Sequence, residues 1–138
     1  MIRYKSEQIA FDPRKKKKVP LWRLDTNTVT VTHFNSDTLS LKRNTYHTDY
    51  IRCYLHYSDS KSPDRLRILV NEGKIIEYLD DLKLKVGEAI SRQMERWKKT
   101  DSCYQKAFLS SDANKMVNLK NCFISMAKEI MFECMVYV

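Results

Sequence analysis

Residues 74–99 read KIIEYLDDLKLKVGEAISRQMERWKK, and the fold hinges on how that stretch is read. Ile75, Ile76, Leu79, Leu82, Val86, Ile90, Met94 and Trp97 recur every three or four residues. That spacing puts them on one apolar face of a helix. Glu77, Asp80, Asp81, Lys83, Lys85, Glu88, Arg92, Glu95 and Arg96 mix signs on the remaining surface, as a solvated face does. Gly87 costs about 1 kcal/mol relative to Ala unless close packing requires it. The periodicity predicts a helix over 74–99.

Working outward, Ser62-Pro63-Asp64 is a helix start. Ser offers an N-cap acceptor, Pro suits the first helical position and Asp favours the positive helix end. Leu66, Leu69 and Val70 make the buried stripe, and Gly73 permits a C-terminal turn or a close helix contact. Downstream, Thr100-Asp101-Ser102 stops the long helix, and a short turn around Tyr104–Leu109 follows. Ser110-Ser111-Asp112 then caps a last helix predicted to run to Val138. Its apolar face is Ala113, Met116, Val117, Phe123, Ile124, Ala127, Ile130, Met131 and Cys134. Two long amphipathic helices joined by a short connection are expected to pack antiparallel.

The N-terminal third is more ambiguous. Residues 1–20 read as a basic flexible arm, with Arg14, Lys15, Lys16, Lys17 and Lys18 between Pro13 and Pro20. Adjacent cations repel and extend a chain. Thr28-Val29-Thr30-Val31-Thr32 is β-branched throughout, Asn35-Ser36-Asp37 signals a turn, and Thr38-Leu39-Ser40-Leu41 alternates. A hairpin fits, covered by a helix through Trp22 and Leu24. Tyr46, Tyr50, Tyr54 and Tyr57 fit helical spacing, although strand-like alternation is also present. The expected fold is therefore mainly α: a single mostly helical domain over 21–138, with two long antiparallel amphipathic helices and a short N-terminal β-hairpin-like element. With two Gly and three Pro in 138 residues, tight turns are expected to be scarce.

Lys and Arg number 25 against 17 Asp and Glu, a formal net charge of +8. Most of that excess lies in residues 1–62, which marks the N-terminal half as the side that faces polyanions. Cys53, Cys103, Cys122 and Cys134 are widely spaced, without a paired motif. Reduced thiols in a cytoplasm are the expected state, with Cys122 and Cys134 acting as small hydrophobes on a helix. No apolar run reaches the ~20 residues that a membrane span needs.

A family resemblance enters at Tyr50, Arg52, Tyr57 and Pro63, then Leu69, Gly73, Lys74, Ile75 and Leu79. It continues through Gln93-Met94, Ala127-Lys128-Glu129-Ile130 and Glu133-Cys134-Met135-Val136-Tyr137. In that order these residues resemble the TnpV family, small proteins carried by bacterial mobile elements, over residues 50–138. The chain departs from the family where Cys53-Tyr54-Leu55-His56 replaces clustered arginines, and where Lys98-Lys99-Thr100-Asp101 replaces a Gly-Val-Thr-Glu loop. The resemblance implies an accessory protein of a transposon or integrative element. It implies no biochemical activity and assigns no residue a role.

Catalysis and cofactors are not expected. Two glycines cannot build a phosphate-binding Gly-rich loop. Cys53 and His56 make one pair, too few for a four-ligand zinc site, and His33 and His47 stand apart. Glu129 and Glu133 share a helix face, but solvation or ion pairing is the simpler role. The expected function is a non-catalytic, mobile-element accessory protein that contacts nucleic acid through Arg14, Lys15, Lys16, Lys17, Lys18, Lys42, Arg43 and Arg52. The alternative is a protein-binding inhibitor or modulator of a host complex, such as an anti-CRISPR-type protein blocking a Cas nuclease. A third reading is a structural partner that dimerises through a helix face.

Overall fold

The computed structural model describes residues 3–137, and the side chains of residues 4–137. The described residues form six strands: β1 (Arg3–Lys5), β2 (Ile9–Asp12), β3 (Lys17–Pro20), β4 (Trp22–Asp25), β5 (Thr30–Asn35) and β6 (Ser40–Thr45). Five α-helices follow: α1 (Asp49–Lys61), α2 (Pro63–Asn71), α3 (Ile75–Thr100), α4 (Ser102–Leu109) and α5 (Ala113–Met131). The chain divides inside α3 into two compact units, Met1–Lys83 and Leu84–Val138.

This is an α+β fold, which corrects the mainly helical expectation. An antiparallel sheet of order β1-β4-β5-β6 and a β2-β3 ribbon replace the single marginal hairpin. Residues 3–20, predicted as an arm, are strands β1 to β3 and their connections. The expected pair of long antiparallel helices is not formed either: α3 is divided between the two units and α5 packs on α4, while fully buried side chains concentrate in the first unit, among Leu24, Val29, Val31, Ile51, Tyr54, Leu55, Leu66, Val70, Ile75 and Leu79. Each such side chain contributes about 1.5–3 kcal/mol of burial.

The strands form because three turns share one chemistry. Asp12, Asp25 and Asn35 each end a strand and accept the backbone N–H two residues on, at 2.9 Å from Arg14, 3.0 Å from Asn27 and 3.0 Å from Asp37. Such Asx turns replace glycine as the signal for reversing the chain. Each four-residue turn ends in a left-handed residue that is not Gly: Lys16 (φ 54°), Val29 (φ 55°) and Leu39 (φ 55°). The scarcity of Gly therefore does not make turns scarce. The lysine run fits because Lys17 and Lys18 lie consecutively on β3 and so project to opposite faces of the ribbon.

The segments β1–β2 and β3–β4 run alongside each other from the larger sheet into the ribbon. Between the pairs Lys5↔Arg23 and Ile9↔Pro20 one side advances four residues and the other three, which is a β-bulge. Buried Ser6 holds it: its N–H donates to the Trp22 carbonyl (2.9 Å), its Oγ donates to the Gln8 carbonyl (3.0 Å), and Trp22 N–H donates to that Oγ (3.0 Å). The bulge lets β2–β3 turn away from the plane of the larger sheet.

One face of the sheet packs against helices. The cross-strand row Tyr4↔Leu24↔Val31 is buried, and α2 lies against β1 and β4. Trp22 belongs to this face and stacks on His33 with ring centroids 4.0 Å apart. Helix α2 ends in a Schellman motif, with Lys74 N–H to the Leu69 carbonyl (3.0 Å) and Gly73 N–H to the Val70 carbonyl (3.2 Å). Gly73 is left-handed at φ 69°, and a Cβ there would lie 2.7 Å from Trp22 Nε1 and 2.9 Å from Cε2. Ser62 occupies the N-cap position of α2, but its side chain accepts no capping hydrogen bond, unlike the sequence expectation.

In the second unit α4 packs on α5, and Phe123 meets Trp97 and Tyr104 at ring-centroid distances of 5.6 and 6.0 Å. Asp101 and Asp112 cap α4 and α5 through Tyr104 N–H (2.8 Å) and Lys115 N–H (3.2 Å). The last helix does not run to the end as expected. It passes into a π-helical turn at Phe132–Val136, and Val138 lies outside the described residues. Much of its predicted apolar face is open: Val117, Ile130 and Cys134 are exposed, whereas Phe123 and Ala127 are buried. Cys122 is likewise exposed rather than packed.

Two outcomes are expected. Gly73→Ala meets both a left-handed backbone and the Trp22 ring, so it should cost about 2–3 kcal/mol and disturb tryptophan fluorescence, as read by chemical denaturation. The Tyr46 hydroxyl donates to Asp80 Oδ1 at 2.9 Å. Burial first, then that hydrogen bond and the Asp80 charge, push the phenol well above the usual tyrosine range. The folded state thus holds the proton more tightly than the unfolded chain. The linked stability is complete below about pH 10 and is lost as pH rises above it. Tyr46→Phe should cost about 1 kcal/mol at neutral pH and shrink the alkaline loss, as read by melting across a pH series.

Candidate nucleic-acid interface

The other face of the sheet carries no helix-facing apolar row. Directly opposed residues of antiparallel strands share a face, so registry alone places the side chains. Lys5↔Arg23↔Thr32↔Arg43 forms one row across all four strands. Beside it runs Asp25↔Thr30↔Thr45 on one side and the pair Phe34↔Leu41 on the other. Cations, hydroxyls and apolar groups are thereby sorted into parallel rows about 6.6 Å apart along the strands.

All of these residues except Lys5 line a cleft of about 470 Å³, completed by Asp12, Lys15, Val19 and Pro20 of the β2–β3 ribbon. A volume in that range suits a small-molecule-sized group. Among the described residues no ion pair or side-chain hydrogen bond engages Arg23, Arg43, Lys15 or Lys5. The two carboxylates in the wall are turn acceptors: Asp12 is buried and holds Arg14 N–H, and Asp25 holds Asn27 N–H. Phe34, although on this face, is nearly fully covered, while Leu41 is 45% exposed.

The residues expected from sequence scatter over three places. Arg14, Lys15 and Lys16 form the exposed tip of the ribbon, with Lys17 and Lys18 on β3 beside it. Arg43 lies in the central row, and Lys15 reaches the same cleft. Lys42 opposes His33 and therefore projects from the opposite face, and Arg52 is exposed on α1. The structure thus brings Lys15 and Arg43 together and leaves Lys42 and Arg52 elsewhere. Sequence reading missed Arg23 and Lys5. The signal was present in the recurring Asx turns at Asp12, Asp25 and Asn35, which mark Trp22–Asp25 as a strand with Arg23 on the face opposite Leu24.

Among the described residues, no group of three or more His, Cys, Asp or Glu is placed to hold a metal ion. Among the described residues no helix is long and apolar enough to cross a membrane. No family model, curated protein or solved structure matches the chain, so none identifies a TnpV relationship.

The wall carboxylates yield a test. Asp12→Asn keeps the turn acceptor while removing a negative charge beside the cations. It is expected to leave stability within about 0.5 kcal/mol and to raise polyanion affinity about threefold. Asp12→Ala loses the acceptor and should cost about 1 kcal/mol. Thermal melting and binding titrations on both variants separate the two effects.

Proposed function

We propose that this chain is a non-catalytic nucleic-acid-binding protein that grips backbone phosphates through its N-terminal sheet and ribbon. The observation that carries this reading is the Lys5–Arg23–Thr32–Arg43 row, whose cations have no protein counter-ion among the described residues. The exposed ribbon tip at Arg14–Lys18 adds charge at one end of the same unit. Phosphate contacts of this kind position a nucleic acid without reading its bases. The resemblance to TnpV supports placing that binding in the service of a mobile element.

A second reading is favoured by a different observation. The helical unit exposes Leu84, Phe108, Leu109, Val117, Met126 and Ile130, with Phe108 at 61% and Leu109 at 82%. Apolar surface of that kind suits a protein partner, such as a host complex of the CRISPR-nuclease type.

Removal of residues 1–18 is a poor test of phosphate binding, because it deletes β1, β2 and half of β3 and strips β4 of one of its two neighbours. Charge substitution is cleaner. Lys17→Gln with Lys18→Gln is expected to weaken binding to duplex DNA, single-stranded DNA and RNA alike. It should lower the slope of log affinity against log salt by about one for each phosphate no longer neutralised. Anisotropy titrations across a salt series measure this. No binding by the intact chain at low salt would sink the reading and leave the protein-partner alternative standing.

A further inference from the structure

We infer that the cleft between the open sheet face and the β2–β3 ribbon holds one nucleotide of a single strand, its phosphate on Arg23 and Arg43 and its base along Leu41 and Pro20. The inference rests on the nucleic-acid reading above and deepens it, because a phosphate-gripping surface alone makes no distinction between duplex and single strand.

Three observations carry it. The first is shape. The site is a cleft of about 470 Å³ walled on one side by the ribbon rather than a bare sheet face. A duplex, whose bases are paired and stacked, can lie along the ribbon tip but cannot offer a nucleotide to such a space without unstacking one. A single strand can turn a nucleotide in at little cost.

The second is the order of chemistry along the strands. Arg23 and Arg43 flank Thr32 in one row, and adjacent strands are about 4.8 Å apart, so the two Arg Cα atoms are separated by about 10 Å. Arginine side chains are long enough for both guanidinium forks to meet the oxygens of one phosphate lying over Thr32. Two residues further along β5 and β6 the surface becomes apolar, at Leu41 beside the buried Phe34. That step, about 6.6 Å, is the kind of reach that separates a phosphate from its own base across one sugar.

The third is polarity on the other flank. Thr30 and Thr45 lie within hydrogen-bond distance of each other, at 3.2 Å between their hydroxyls. They present hydroxyl donors and acceptors on the side of the Arg row away from the apolar patch, toward the next sugar-phosphate of the strand. Asp25, already committed to the turn, keeps that flank from becoming a second strong anion site.

The test is anisotropy binding of the full chain to labelled oligothymidylate, labelled oligouridylate and a labelled duplex of equal length. Variants Arg43→Ala and Arg23→Ala address the cleft, and Arg14→Ala with Lys18→Ala addresses the ribbon surface outside it. The two cleft variants should weaken both single strands about tenfold and the duplex, which loses only a surface phosphate contact, about threefold. The ribbon variant should weaken all three probes together. Melting temperatures verify that each variant is folded, which Arg43 in particular should permit because it is exposed. If the cleft variants leave single-strand binding unchanged while the ribbon variant weakens it, the cleft assignment falls and phosphate binding passes from the arginine row to the ribbon tip alone. If they weaken duplex and single strand equally, the cleft assignment also falls. If the intact chain binds none of the probes, both fall together.

Discussion

The approach of Gly73 to Trp22 is the constraint on which the first unit depends. It leaves no room for a side chain at 73, so the turn after α2 is set directly against β4. Trp22 is thereby committed to the helix side, where it stacks on His33 of the neighbouring strand. Side chains alternate along a strand, so Arg23 must then project the other way. Registry carries that choice across the sheet, and Thr32 and Arg43 follow Arg23 to the open face. A slip of one residue would bury the arginines and expose the core. The electrostatics of one face are therefore secured by steric contact on the other.

Most of the helical architecture was legible in the sequence, because the 3.6-residue period is local and each helix carries its own signal. The predicted span 74–99 corresponds to Ile75–Thr100, and the break at Gly73 corresponds to a Schellman motif. Of the sheet, only the hairpin that became β5–β6 was legible, from local alternation around the Asn35 turn. The pairing of β1 with β4, as in Tyr4↔Leu24, links residues far apart in sequence, and no periodicity announces it. Reversals built from Asp and Asn with Lys, Val and Leu in left-handed positions carry no glycine signal. Repulsion along the lysine run argues for an extended arm, yet a two-sided ribbon relieves it by sending neighbours to opposite faces. The same gap explains the site: charge alone points to Arg43 and Lys15, whereas Arg23 and Lys5 join them only through strand registry.

The two units differ in how completely they hide their apolar residues. In the first, sheet and helices enclose a set of side chains with almost no exposure. In the second, Val86, Ile90, Phe123, Ala127 and Val136 are buried while α4 and α5 leave a leucine, a phenylalanine and several aliphatic groups in solvent. Cys103, Cys122 and Cys134 share that exposure. The helical unit thus has surface to spare for association, and the sheet unit has charge to spare.

Strand β6 ends the sheet on one side, and among the described residues Ser40–Thr45 pairs only with β5. Its outer rim of backbone amides and carbonyls is an invitation to any other extended chain. Lys42 and Arg43, projecting from opposite faces of that rim, act as gatekeepers. Two copies meeting edge to edge would set cation near cation, and the mutual repulsion discourages the stacking that leads to fibrils. The protection lasts only while the charges are unscreened. A polyanion lying over them would neutralise the gatekeepers and gather many copies along one strand. Crowding on the ligand and loss of colloidal stability would then have a common origin.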